Sequence, residues 1–189
     1  MSKSVLLMSM SLDGFIAAPN DAPGNPGGDG FMRLHDWYQQ ADGTFGRPVG
    51  PAGEIWDEVH ATGAVFVGRR TAEQVDYYGG THHGVPLFVL TRRDPDPRFP
   101  QVHFVTDVAE GMAQAKAAAG DRDVLVHGAE AARAALEAGV LDELQIDQIP
   151  VLLGQGRRLF DVLPDRIELE VAKVIDTPAA THIRYRVVT

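Results

Sequence analysis

The chain has 189 residues, 44% hydrophobic and 23% charged, which are ordinary globular proportions. One domain over 1–189, burying roughly 70% of its unfolded surface, is the simplest expectation. The net charge of −9 opposes a nucleic-acid-binding surface, and the absence of cysteine excludes disulfides, thiolate catalysis and cysteine-held metals. No stretch approaches the ~20 apolar residues of a membrane span, and Asp13 interrupts any extension of the run Val5–Met8. Neither a signal peptide nor a membrane contact is expected, and the predicted location is cytoplasmic.

Ser4–Met10 is continuous and apolar and predicts a buried first strand, followed by a turn at Asp13-Gly14. From 18 to 53 glycine and proline crowd the sequence. A loop of that length predicts a lid or substrate loop. Within it Phe31, Leu34, Trp37 and Tyr38 fall on one helical face. A helix over Glu54–Thr62 capped by Gly63, a strand over Ala64–Val67 and a helix over Thr71–Tyr78 come next. Strands are predicted over Val85–Leu90, Val102–Thr106 and Val124–Val126. Helices are predicted over Val108–Ala119, stopped by Gly120, and over Ala129–Ala138, stopped by Gly139. Leu144–Leu153 predicts a long strand. Leu169–Asp176 and His182–Val188 alternate about Thr177-Pro178-Ala179 and predict a hairpin. The alternation of strands and helices implies an α/β fold of three layers, with a mostly parallel central sheet and a C-terminal antiparallel hairpin.

Three of the apolar runs end alike. Ala64–Val67 gives way to Gly68-Arg69-Arg70-Thr71, Leu87–Leu90 to Thr91-Arg92-Arg93, and Asp123–Val126 to His127-Gly128-Ala129-Glu130. A helix N-terminus after a strand offers unpaired N–H groups to an anion, and arginine adds planar, bidentate donors for phosphate. Three such ends on one sheet would line a cleft for a long, phosphate-rich nucleotide. Of the 17 basic residues 14 are arginine. A bias toward arginine explains the excess but not why the pairs follow apolar runs. The seven histidines show no H-x-x-x-H or H-E-x-x-H spacing, and His82-His83 in a glycine-flanked turn is weak evidence for zinc, so no metal site is expected.

Six segments, in order, resemble the dihydrofolate reductase superfamily, and most closely the branch of the reductase (C-terminal) domain of the bacterial riboflavin deaminase–reductase. They are Met10–Ala17 (MSLDGFIA), Val67–Glu73 (VGRRTAE), His127-Gly-Ala-Glu130, Ala138–Leu144 (AGVLDEL), Ile149–Phe160 (IPVLLGQGRRLF) and Thr181–Val187 (THIRYRV). The resemblance covers nearly the whole chain except 18–53. It implies a dihydrofolate reductase-like fold, NADPH as hydride donor across the carboxyl ends of the strands, a small pterin- or pyrimidine-like heterocycle as substrate, and a homodimer. It places the pyrophosphate on Gly68, Arg69, Arg70 and Thr71. The adenosine ribose phosphate falls on Thr91, Arg92 and Arg93, where two guanidiniums favour NADPH over NADH. His127, Gly128, Ala129 and Glu130 stand beside the nicotinamide. There the family carries paired glycines joined by a cis peptide, and His127 replaces the first of them. The imidazole either covers the active-site edge or is incidental. Asp13 and Gly14 shape the turn that carries Ile16 and Ala17 over the nicotinamide. The riboflavin-pathway ribosylaminopyrimidine reductase, and a nucleotide-binding protein without turnover, stay open as alternatives.

Hydride transfer to C=N or C=O also calls for a proton. In Leu144–Pro150 the alternation puts Gln145, Asp147 and Ile149 on one face. The resemblance turns that face to the active site, with Asp147 at the position of a hydroxyl partner of the family's acid. A carboxyl buried in a strand has a raised pKa and suits a proton donor. The other reading is a structural acid paired with an arginine such as Arg33. On the helix 54–62, Asp57 and Glu58 are either acids of the site or a solvated face, and water is the remaining proton source. Trp37, Trp56 and Phe31 either wall a pocket for a flat ring or belong to the core. Arg157, in a basic glycine-rich loop, either holds a substrate phosphate or pairs with surface acids.

Overall fold

The computed structural model describes residues 2–188. In chain order the elements are β1 (Ser4–Ser11), β2 (Phe15–Ala17), α1 (Gly53–His60), β3 (Ala64–Gly68), α2 (Arg69–Gln74), β4 (Thr81–His82) and β5 (Val85–Leu90). These are followed by β6 (His103–Val105), α3 (Val108–Ala119), β7 (Val124–His127), α4 (Ala129–Glu137), β8 (Glu143–Ile149), β9 (Arg157–Arg158), β10 (Leu169–Asp176) and β11 (Thr181–Val187). Short 3₁₀ turns cover Phe31–Tyr38, Gly50–Ala52 and Asp76–Gly80. No helix among the described residues is long and apolar enough to cross a membrane.

The main sheet runs β10-β11-β8-β1-β7-β3-β5-β4, with β6 also on β5. Strands β8, β1, β7, β3, β5 and β6 are mutually parallel, while β11 and β10 add an antiparallel edge. The predicted mixed, mostly parallel sheet is therefore present. Its central strands are continuous apolar runs because both faces are covered. Phe66, Val126 and Leu6 pack toward Met112, Ala115 and Ala131 of α3 and α4. Val65, Val67 and Leu125 pack on the opposite face with Ala72 and Tyr77. Leu34, Trp37, Ile55 and Ile149 form a third cluster near the β8 end. Helix α3 begins where the Asp107 carboxylate accepts the Glu110 N–H at 2.8 Å, a side-chain cap.

Several boundaries differ from expectation for local reasons. Gly63 is no left-handed cap. Its small size matters instead, since a Cβ there would sit 2.6 Å from the Ala119 carbonyl. The strand from Leu144 ends at Ile149, because Pro150 withdraws its ladder N–H. Helix α2 starts at Arg69 and stops at Gln74, and Asp76, Tyr77, Tyr78 and Gly79 turn left-handed with φ of 46°, 53°, 52° and 66°. Strands β2 and β9, unforeseen in the sequence, pair in a small second sheet that folds the Arg157–Arg158 segment back on Phe15–Ala17.

Candidate active site

Parallel pairing brings the carboxyl ends of β7, β3 and β5 to one edge as immediate neighbours. Adjacent strands lie ~4.8 Å apart, so three neighbouring ends span ~10 Å. The turns after β7 and β3 touch. Gly128 has φ 87° and ψ 147°, a conformation open to glycine, and a Cβ there would meet the Thr71 hydroxyl at 2.5 Å. The His127–Gly128 peptide is trans, so the cis bond expected from the resemblance is absent.

A cavity of about 470 Å³ opens at this edge. Of the residues expected at the site, Ile16, Ala17, Gly68, Arg70, Thr71, His127, Gly128, Ala129, Glu130, Trp37, Trp56 and Arg157 border it. Asp13, Gly14, Arg69, Thr91, Arg92, Arg93, Asp57 and Asp147 do not. Each of these has another place. Thr91, Arg92 and Arg93 lie farther along the same sheet edge, at the end of β5, with both arginines exposed. Arg69 donates to Glu73 (2.5 Å), to the Thr91 hydroxyl (3.3 Å) and to the Asp94 carbonyl (3.1 Å), tying the β3 and β5 turns together. The Asp57 carboxylate is exposed and accepts both Nε and Nη2 of Arg47 at 2.7 Å, so it belongs to a surface ion pair and not to a substrate pocket. Its neighbour Glu58 pairs with Lys173 and Arg184.

Asp13 is a clamp. Its carboxylate accepts the Ser11 hydroxyl (2.6 Å) and the amides of Leu153 (3.1 Å) and Gly154 (2.7 Å), pinning the turn after β1 to the segment after β8. The Ser11 hydroxyl first, then these amides, hold the carboxyl down to about 2. Arg158 completes the clamp, donating to the Asp13 carbonyl at 2.8 Å and lying 4.5 Å over the Phe15 ring.

Charged groups from the long loop, α2, α4 and β9 border the cavity. Asp21, from the long loop, accepts Arg70 Nη2 at 2.8 Å, the Gly27 amide at 3.0 Å and the Gln74 amide group, and so folds residues 18–29 over the cleft. A ring-lined wall borders it as well, with Tyr38, Trp56, His60, Tyr78, His82 and His127 all lining the cavity. Trp56 stacks on His60 with centroids 4.2 Å apart, and Tyr78 meets His82 edge-on at 4.4 Å. The left-handed run at 76–79 is what delivers Tyr78 to this wall. Burial, then repulsion from neighbouring histidines, lowers His82 to about 3 and His127 to about 4, so both rings are neutral at neutral pH. Burial lifts the Tyr78 phenol to about 12. Sequence reading missed Tyr78, His60 and His82. The spacing of Trp56 and His60, four apart on one helix, was the available signal. Among the described residues no group of three or more His, Asp or Glu side chains is placed to hold a metal.

Asp147 is fully buried and shut away from the cavity. Its partner is His182, whose Nδ1 shares a hydrogen bond with Asp147 Oδ1 at 2.7 Å, and Gln145 donates to the same oxygen at 3.0 Å. Arg33, the arginine named for this role, pairs instead with Asp36. Asp147 Oδ2 and His182 Nε2 have no partner. Burial raises the carboxyl, against the opposing pull of His182 and Gln145. Trp37, which borders the cavity, packs its ring 4.7 Å from His182 and donates its indole N–H to the Ser9 hydroxyl at 3.0 Å.

No curated protein matches the sequence. Among solved structures, a chain assigned provisionally to riboflavin biosynthesis, from Shewanella sp. PV-4, superposes with a TM-score of 0.73 at 21% identity, and 99% of each chain is covered. A diaminohydroxyphosphoribosylaminopyrimidine deaminase/5-amino-6-(5-phosphoribosylamino)uracil reductase from Thermotoga maritima superposes with a TM-score of 0.64 at 13% identity. The match covers 99% of this chain and 57% of that one, so this chain spans little more than half the length of that protein. Both likenesses concern the fold. The family model for the RibD C-terminal domain matches residues 3–183, nearly the full length, and the chain belongs to that family.

Proposed function

We propose that this protein is a pyridine-nucleotide-dependent reductase that uses NADPH to deliver a hydride to a small pterin- or pyrimidine-like heterocycle. One observation carries the reading: three anion-suited turns stand side by side at the carboxyl ends of β7, β3 and β5, with a ring-walled cavity beside the first. His127–Ala129 would border the nicotinamide, Gly68–Thr71 would hold the pyrophosphate, and the exposed Arg92 and Arg93 would hold the 2′-phosphate. When bound, the cofactor supplies the hydride. The chain's residues place the ring, exclude water and hold the phosphates. Asp147, shut behind the Trp37 side of the cavity, positions that wall through His182 and is not the proton donor. Family membership and the reaction named for the Thermotoga protein favour a second reading, in which the substrate is a phosphoribosylaminouracil.

The test follows loss of the reduced nicotinamide's near-ultraviolet absorbance with NADPH and NADH. Replacing Arg92 and Arg93 together by alanine should raise KM for NADPH about tenfold, the value of a lost charge-assisted hydrogen bond, and leave KM for NADH unchanged. An equal effect on both cofactors would remove the 2′-phosphate from this turn.

A homodimer is part of the same proposal. The edge strand β10 exposes Leu169, Val171 and Val174 at 40%, 62% and 54%, an apolar edge that soluble proteins cover. Sedimentation velocity should give twice the chain mass of 20.5 kDa. Val171→Lys should shift the species to monomer, and a wild-type monomer at micromolar concentration would rule the pairing out.

A further inference from the structure

Two guanidiniums border the cavity, and they differ in what holds them. Arg157 has no hydrogen-bonded partner among the described residues. Arg70 is engaged by the chain's own carboxylate. Its Nη2 donates to Asp21 Oδ2 at 2.8 Å and to the Asp21 carbonyl at 2.9 Å, and its Nε donates to Oδ2 at 3.3 Å. The other oxygen, Oδ1, accepts the Gly27 amide at 3.0 Å and the Gln74 side-chain amide. The Asp21 side chain is 9% exposed among these donors, while Arg70 is 45% exposed. Carboxylate and phosphate oxygens call for the same charge-assisted donors. Asp21 therefore fills an anion site made by Arg70, Gln74 and the Gly27 amide, at the turn Gly68–Thr71.

The segment that carries Asp21 is a unit of its own. The Ala18 N–H donates to the Gly27 carbonyl at 2.7 Å and the Asp29 N–H to the Pro19 carbonyl at 2.8 Å, which closes the two ends on each other. Inside, the side chains of Asn20 and Asn25 donate to the two carboxylate oxygens of Asp29 at 2.7 and 2.9 Å, and a bridge joins Ala22 to Asn25. A compact loop held by its own hydrogen bonds can move as one piece. Among the described residues, Asp21 alone ties 18–29 to α2 by hydrogen bonds. Release of one carboxylate frees the flap and leaves most of its interior bonds in place.

We propose that the Asp21 carboxylate is a resident stand-in for the cofactor's pyrophosphate, which fastens the 18–29 flap to Arg70 and Gln74 and is displaced from both when the phosphates bind. The proposal rests on the reductase reading above and adds Gln74 to the residues that hold the pyrophosphate. Both Nη2 hydrogens and the Nε hydrogen of Arg70 are already directed at Asp21, so a second anion finds no room on that edge. Nη1 has no acceptor among the described residues and offers the first contact. The two like charges then repel across one guanidinium, and exchange gives the phosphate the bidentate edge.

NADPH affinity, followed by cofactor fluorescence, is compared for the wild type, Asp21→Asn, Arg70→Ala and the double variant. Asp21→Asn keeps the shape of the side chain and removes the competing charge. It should bind NADPH about tenfold more tightly, the value of a charge-assisted hydrogen bond no longer contested. Arg70→Ala should weaken NADPH about tenfold, and adding Asp21→Asn to it should change nothing further, because the contest is for that guanidinium. A gain that persists without Arg70 would be a general effect of one acid fewer in a chain of net charge −9, and it overturns the proposal. Equal or weaker binding by Asp21→Asn overturns it too. Hydrogen exchange of the wild type needs no variant. NADPH should speed exchange over 18–29, the Gly27 amide included, and slowed exchange there would mean that the flap closes on the cofactor with Asp21 in place. In each of these failures the reductase reading stands, since NADPH binds. NADPH binding to neither the wild type nor Asp21→Asn removes the reductase reading and the proposal together.

Discussion

His182→Ala should lower the unfolding free energy by about 2–4 kcal/mol, the cost of a large-to-small change in the core that also takes a buried carboxyl's main hydrogen-bond partner. Both side chains are fully buried, and their hydrogen bond joins β8 to β11 at a register position where His182 faces Asp147 directly. Without the imidazole, Asp147 Oδ1 keeps only the Gln145 amide, and Oδ2 already has no partner. Burial already raises the carboxyl, and loss of the imidazole removes the largest influence opposing that rise. Asp147→Leu alone should cost a similar amount by stranding the imidazole. The double variant Asp147→Leu/His182→Leu should recover most of it, because apolar replacements of a whole buried pair are often nearly neutral. Denaturant unfolding of the two single variants and the double variant gives the coupling directly. Single variants losing under about 1 kcal/mol would show that the pair contributes no net stability.

The same pair shows how far the sequence could be read. Period-two alternation correctly placed Gln145, Asp147 and Ile149 on one face of β8, because strand geometry is local. The partner on that face came from the pairing of β8 with β11, between residues 35 apart, and no local signal fixes that register. The same division holds elsewhere. The central strands were legible because burial on both faces demands unbroken apolar runs. The turns after β3 and β7 were legible because Gly68 and Gly128 mark the ends of such runs. Arg92 and Arg93 were legible as a basic pair, yet their distance from the cavity depends on where β5 sits in the sheet. The ring wall was the least visible part. Asp76, Tyr77 and Tyr78 adopt a left-handed turn that ordinary residues enter only when tertiary packing forces it, so Tyr78 gave no local warning. Asp21, in the segment least like the family, meets Arg70 across 49 positions.

Acidification should weaken the fold steeply, and two histidines of the ring wall should cause much of the loss. In the unfolded chain His82 and His127 take up protons near their ordinary value of 6.5. In the folded chain, burial and the proximity of other imidazoles hold them to about 3 and about 4. Between those values the unfolded state binds more protons, so stability is full above 6.5 and falls as the pH drops. A histidine lowered from 6.5 to about 4 loses about 3 kcal/mol of stability by pH 4. The two rings repel each other, so part of their shifts is one shared term, and together they account for about 4 kcal/mol. That is a large share of the ~5–15 kcal/mol typical of a domain and corresponds to a Tm about 8–16 °C lower. Asp147 acts in the opposite sense. Its carboxyl is raised in the fold, so its contribution is present at low pH and lost as the pH rises through the folded value. It therefore offsets part of the histidine loss and cannot produce it. Circular-dichroism melts at about pH 7 and pH 4 should show the drop in the wild type and roughly half of it in His127→Asn, which keeps a polar side chain but cannot titrate. An equal drop in both proteins would mean that the histidines of the wall do not govern acid stability.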